Sequence, residues 1–160
     1  MSKSILTCWG GAGAVTGANF LLESGDKKFL IDCGLVQGAG GESQGEFGYD
    51  PKTIDYLFVT HAHIDHIGRI PELVSKGFAG NIYSTPETKE IARVMLQDLL
   101  HIANQNEKDL EAAMRLWQTL EYHKPENFGA ITVELYDAGH ILGSAMYKFA
   151  ALSGKSLLFT

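Results

Sequence analysis

Residues 60–66 read THAHIDH and place three of the chain's six histidines within six positions. His61, His63, Asp65 and His66 form an H-x-H-x-D-H array. Imidazole nitrogen and carboxylate oxygen are the ligands zinc uses in open, catalytic sites. On a loop leaving a strand, residues two apart project to the same side, so such ligands can converge on one ion. The bland alternative is that Asp65 caps a helix and the histidines are polar loop residues. Four ligand-type residues in six positions favour the metal instead, because this spacing carries a specific mechanism. The neighbours Val59, Ala62, Ile64, Ile67, Gly68 and Ile70 are apolar or small and keep such a site tight and partly dry. No cysteine takes part, which argues against a closed structural zinc site.

His140 stands apart in DAGHILGSA, between Gly139 and Gly143, where a loop backbone can approach an ion. Three histidines and a water complete a tetrahedral catalytic site, and His61, His63 and His140 are the set this sequence offers. Asp65 and His66 are then half of a second site that still needs a bridging carboxylate. Asp32, at the end of KFLIDC, has two readings. It accepts the second N–H of a metal histidine and fixes its tautomer, or it is a turn-forming aspartate before Gly34.

Strands must deliver these residues. Ser4–Trp9 and Ala18–Glu23 are β-rich with GGAGAVTG between them, and Lys28–Cys33 follows a Gly25-Asp26 turn. Residues 34–50 are glycine-rich and read as a long functional loop. Tyr56–Thr60 (YLFVT) is nearly all apolar, as a central strand covered on both faces should be, and it leads into the histidines. A short helix is expected over Ile70–Lys76, and a strand over Asn81–Ser84. Thr85-Pro86 then caps and starts a longer helix whose Ile91, Val94, Met95, Leu99 and Ile102 recur at helical spacing. A further helix over Glu107–Leu120 shows Leu110, Ala113, Met114, Trp117 and Leu120 on one face. Strands return at Ile131–Tyr136, Ala145–Ala151 and Ser156–Thr160. The pattern is a layered mixture of helices and sheet, an α+β class.

At 45% hydrophobic and 20% charged residues the composition is that of a globular domain. No apolar run is long enough to span a membrane, and MSKSILTCWGG lacks the h-region of a signal peptide. The expected location is the cytoplasm. Cys8 and Cys33 form no C-x-x-C pair; each lies in a strand-like run and is expected to be a buried thiol. A disulfide between them is unneeded in a reducing compartment. A net charge of −6 is not the footprint of a chain that grips nucleic acid by itself.

The motifs together resemble the metallo-β-lactamase fold hydrolases. HAHIDHIG resembles their signature, LIDCG is similar to the preceding aspartate motif, and DAGHILGSA to the next ligand motif. GAVTGAN and GHILGSA are most similar to the β-CASP branch, which holds the ribonuclease J and polyadenylation-endonuclease families. The resemblance implies a four-layer αββα sandwich with a dinuclear zinc centre at its edge. His61, His63 and His140 would hold one Zn2+, and Asp65 and His66 would contribute to the other. Asp65 would also act in catalysis, with Asp32 as the supporting acid. The implied reaction is hydrolysis of RNA phosphodiesters by a metal-bound hydroxide. Relatives continue after a strand like LLFT with a Gly-Asp pair whose aspartate bridges the two ions. Residues 1–160 therefore correspond to the N-terminal part of the domain. The bridging aspartate, the remaining metal histidine and the β-CASP insertion are not within them. One ion should bind well here and a second poorly, and the chain alone should be inactive. RNA is the expected partner of the complete protein, with no membrane and with a homo-oligomer left open. Two other functions share the site: hydrolysis of a small-molecule ester, thioester or lactam, and a non-catalytic metal-binding partner subunit.

Overall fold

The computed structural model describes residues 4–38, 44–103 and 107–160. The middle of the long loop, 39–43, lies outside the described residues. Ten strands and four helices are assigned among the described residues. A six-stranded sheet runs in order β1 (Ile5–Gly10), β2 (Asn19–Ser24), β3 (Lys27–Ile31), β4 (Tyr56–Phe58), β5 (Asn81–Ser84) and β6 (Trp117–Thr119). β1, β2 and β3 are antiparallel neighbours, whereas β3 to β6 pair in parallel. A second sheet holds β7 (Glu126–Asn127), β8 (Ile131–Asp137), β9 (Ala145–Ala151) and β10 (Ser156–Phe159), in order β10-β9-β8-β7 and antiparallel throughout.

Period-two alternation splits the side chains of the central strands between two cores. Leu30 and Leu57 face the helices α1 (Ile64–Ile67), α2 (Ile70–Ser75), α3 (Pro86–Ile102) and α4 (Lys108–Leu116), where Ile67, Leu73, Leu96 and Ala113 are buried. Phe29, Ile31 and Phe58 face the second sheet and pack on Val133, Tyr147 and Phe149. The result is a helix–sheet–sheet stack of α+β class, as the αββα reading requires. No helix among the described residues is long and apolar enough to cross a membrane.

Three local expectations change. The last helix stops at Leu116, because Trp117 turns extended (φ −86°, ψ 116°) and opens β6. There the indole N–H donates to Ser84 Oγ at 2.8 Å, and the strand pairs with β5. Edge pairing therefore overrides the helical spacing of Trp117 and Leu120. On α3 the deepest face is Thr88, Ala92, Leu96 and Leu100, whereas Val94 and Ile102 are exposed. The buried face thus mixes the small Thr88 and Ala92 with Leu96 and Leu100, offset by one helical position from the expected stripe. Cys33 is buried but Cys8 is exposed, because β1 is the sheet's outer strand. Both thiols are free.

Candidate metal centre

β4 delivers the histidine array. Beyond it Val59 N–H still bonds Tyr83 C=O at 2.9 Å, and Asp32 N–H bonds Phe58 C=O at 2.9 Å. The chain then turns into α1, where His66 and Ile67 N–H donate to His63 C=O. A helix this short leaves most of its carbonyls without internal partners. The segment after β3 supplies them: Cys33 N–H reaches His66 C=O at 2.8 Å, and Leu35 N–H reaches Ile64 C=O at 3.1 Å. Ala18 N–H takes Asp65 C=O at 2.8 Å. This close docking requires glycine at 34, where a Cβ would lie 1.6 Å from Asp65 O. The HxHxDH turn is therefore fixed by backbone hydrogen bonds from two segments.

His140 comes from the second sheet. Its loop, between β8 and β9, is held by Ser144, whose Oγ accepts from the N–H groups of His140 (3.0 Å) and Ile141 (3.2 Å). Thr85 and Thr88 hydroxyls both donate to Gly143 C=O, at 2.7 and 2.8 Å. Ala145 N–H donates to Thr60 C=O at 2.8 Å, so the two histidine-bearing loops are joined directly.

The three nitrogens meet. His63 Nδ1 lies 3.0 Å from His61 Nε2 and 3.2 Å from His140 Nε2, and one ligand atom from each residue falls within 4.8 Å of the others. His61 is buried and His140 exposed, so the cluster opens to solvent on one side. Burial, with His66, His63 and His140 close by, pushes His61 down to about 3, which keeps it neutral at ordinary pH. A neutral imidazole with an inward lone pair is the state a metal takes.

Asp65 and His66 lie beside this group. The Asp65 carboxylate is 3.9 Å from His66 Nε2, and the His66 ring is 3.9 Å from that of His61. Neither joins the three-histidine cluster. Asp32 has the backbone of a turn residue and also a hydrogen bond to a histidine of the array. It is buried, takes a left-handed φ of 58° before Gly34, and its Oδ2 accepts from His66 Nδ1 at 2.8 Å. Burial disfavours charge on His66, but the hydrogen bond and charge of Asp32, with Asp65 behind them, outweigh it and raise this imidazole above 6.5. Asp32 also accepts from Thr60 N–H and Thr60 Oγ1, both at 2.8 Å.

A cleft of about 460 Å³ opens over Asp32, Thr60, His61, His66 and His140, with Val15 of the glycine loop at its lip. Thr60 and Ser144 were not singled out from sequence. The signal for Thr60 was a hydroxyl residue immediately before the array, and for Ser144 a serine four residues after the lone histidine. Arg69 was missed as well. It pairs with Glu72 at 2.7 Å, bonds Gly45 C=O and lies 4.0 Å over the Phe47 ring, which pins the far end of the long loop.

Residues 12–142 match the family model described as the metallo-beta-lactamase superfamily. The chain is 35% identical over 156 residues to ribonuclease TTHA0252 of Thermus thermophilus, covering 95% of this chain and 36% of that protein. It is 34% identical over 161 residues to cleavage and polyadenylation specificity factor 73 of Drosophila melanogaster, covering 94% of this chain and 23% of that one. Among solved structures it resembles the metallo-beta-lactamase fold protein YhfI of Bacillus subtilis, with a TM-score of 0.63 at 19% identity. That likeness covers all of this chain and 62% of that one, and concerns the fold. The chain thus spans about a third or less of the two curated relatives.

Proposed function

The chain belongs to the metallo-beta-lactamase superfamily, and on that premise we propose that it is the metal-binding portion of a zinc-dependent ribonuclease acting in the cytoplasm. One observation carries the metal: three imidazole nitrogens lie together with His63 Nδ1 3.0 and 3.2 Å from the other two. A single proton on His63 Nδ1 satisfies only one of those contacts. A cation takes a lone pair from each of the three nitrogens, and the donor set of histidines with a neighbouring carboxylate suits zinc. His61, His63 and His140 would hold one ion, and Asp65 and His66 would contribute to a second, which lacks a bridging carboxylate among the described residues. Bound zinc supplies Lewis acidity, lowering the pKa of water and neutralising charge on an attacked phosphate.

The protein's own part is to aim ligands. Asp32 accepts His66 Nδ1–H and leaves its Nε2 facing Asp65. Buried Val59, Ala62 and Ile67 exclude water from behind the array. RNA is the proposed substrate because two relatives above 30% identity are named for ribonuclease and for cleavage and polyadenylation. The activity is proposed for the complete enzyme, with little expected from these residues alone.

The test is a zinc titration against a competing chelator, followed by an RNA cleavage assay. About one ion per chain should bind tightly and be lost in His63→Ala. Absence of zinc binding overturns the metal reading. Robust RNA cleavage by the 160-residue chain, abolished in His63→Ala, overturns the inactivity of this portion. Hydrolysis of thioesters or lactams but not RNA by the complete enzyme overturns the substrate.

A further inference from the structure

Thr60 uses every hydrogen-bonding group it has. Its N–H donates to Asp32 Oδ1 at 2.8 Å, and its C=O accepts from Ala145 N–H at 2.8 Å. Its hydroxyl lies 2.8 Å from Asp32 Oδ2, 3.0 Å from His61 Nδ1 and 3.3 Å from His66 Nδ1. A hydroxyl owns one proton and two lone pairs, whereas an ionised carboxylate only accepts. The Thr60 proton therefore points at Asp32 Oδ2. What faces His61 is a lone pair, so His61 Nδ1 must carry the hydrogen. Its Nε2, the atom 3.0 Å from His63 Nδ1, is then left with the lone pair inward. The opposite tautomer sets two lone pairs against each other at Thr60 and aims an N–H into the nitrogen cluster.

We propose that Thr60 is a positioning residue for the metal centre, passing the hold of Asp32 across to His61 and fixing the tautomer that offers Nε2 to a divalent cation. Asp32 touches His66 directly but reaches His61 through this hydroxyl, so one buried carboxylate orients two imidazoles. The proposal rests on the metal-binding reading above. It goes beyond that reading by assigning the wiring to a residue that is not itself among the proposed ligands.

Two variants of the 160-residue chain test it. Thr60→Val keeps the branched shape and removes the hydroxyl; Thr60→Ser keeps the hydroxyl. With zinc alone as the probe, Thr60→Val should bind about 10–100-fold more weakly, and Thr60→Ser should stay within about threefold of wild type. Long-range proton–nitrogen spectra of the metal-free protein should show His61 protonated on Nδ1 in wild type and Thr60→Ser. They should show a tautomer mixture in Thr60→Val, with all three proteins melting cooperatively. The proposal is overturned by wild-type zinc affinity in Thr60→Val, or by a wild-type His61 that carries its proton on Nε2. Equal losses in Thr60→Ser and Thr60→Val also overturn it. If the wild-type chain binds no zinc, the metal reading fails, while the tautomer spectrum still decides whether Thr60 holds His61.

Discussion

Replacing Gly34 by alanine tests whether backbone docking, rather than the histidines themselves, makes the site. The added methyl would sit 1.6 Å from Asp65 O, 2.3 Å from Asp65 C and 2.9 Å from Ala18 N, all of them main chain. No side chain can rotate away to relieve these contacts. The turn carrying His61, His63 and His66 must retreat until the first contact opens to at least 3.0 Å. That movement strains four hydrogen bonds: Cys33 to His66, Leu35 to Ile64, Gly34 to Ala18 and Ala18 to Asp65. Losing two or three at about 1 kcal/mol each gives about 2–3 kcal/mol. Overpacking adds about 1–3 kcal/mol, for a total near 4 kcal/mol. Against a net stability of about 5–15 kcal/mol the chain still folds, but with a melting temperature lower by roughly 8–16 °C. Zinc affinity should fall with it, although no ligand has changed. The control is Gly45→Ala, where the new methyl meets nothing within 4 Å. It should change stability by no more than about 0.5 kcal/mol. Thermal melts with and without zinc make the comparison. A Gly34→Ala protein melting within about 2 °C of wild type, with unchanged zinc affinity, would refute the docking argument.

Three further outcomes are expected. His63→Ala should weaken zinc by more than the roughly 10–100-fold that loss of a supporting partner costs, while shifting metal-free stability by less than about 0.5 kcal/mol; chelator competition and denaturant titration read the two. Tyr147 is fully buried, donates to Val59 C=O at 2.9 Å, and burial raises its hydroxyl well above 10.0. Its folded-state value is the raised one, so its contribution is intact below pH 10 and is lost as the unfolded chain ionises above it, at up to about 1.4 kcal/mol per pH unit. Tyr147→Phe should cost about 1 kcal/mol at pH 7 and show a shallower alkaline decline in denaturant midpoints; an unchanged alkaline slope would contradict this. A thiol reagent should label Cys8 alone in the native protein and Cys33 only after denaturation, since one is exposed and the other buried.

The histidine array was legible because metal ligation demands convergent side chains, and a two-residue spacing leaving a strand supplies them locally. Asp32 was half legible. Its place before Gly34 suggested either a turn or a supporting acid, and it has both the left-handed φ of a turn and a hydrogen bond to His66. Thr60 was not legible, because its role depends on Asp32, 28 residues away. The end of α4 was misjudged for a related reason. Trp117 continues the helical spacing, and only the free edge of β5 and the Ser84 hydroxyl, 33 residues away, make it a strand. Local pattern therefore gave the candidate ligands and most of the elements. What it left out were contacts between segments far apart in sequence.

The candidate ligands also arrive from two layers, which would tie metal affinity to the packing between sheets. His61 and His63 follow β4, and His140 precedes β9. The Ala145–Thr60 and Tyr147–Val59 hydrogen bonds hold those two strands in register at the site. Beneath them Phe58 meets Tyr147 and Phe149 edge-on, at 5.7 and 5.3 Å between ring centroids. His63 Nδ1 lies 3.0 and 3.2 Å from the other two nitrogens, and its single proton bridges only one of these contacts when no cation is present, so this packing must hold the other pair together against lone-pair repulsion. An ion removes the repulsion and binds only the assembled state, so it stabilises the fold in proportion to how far it exceeds its dissociation constant. A weakened inter-sheet core should therefore lose metal before it loses secondary structure, because His140 can swing outward while the HxHxDH turn stays clamped by β3.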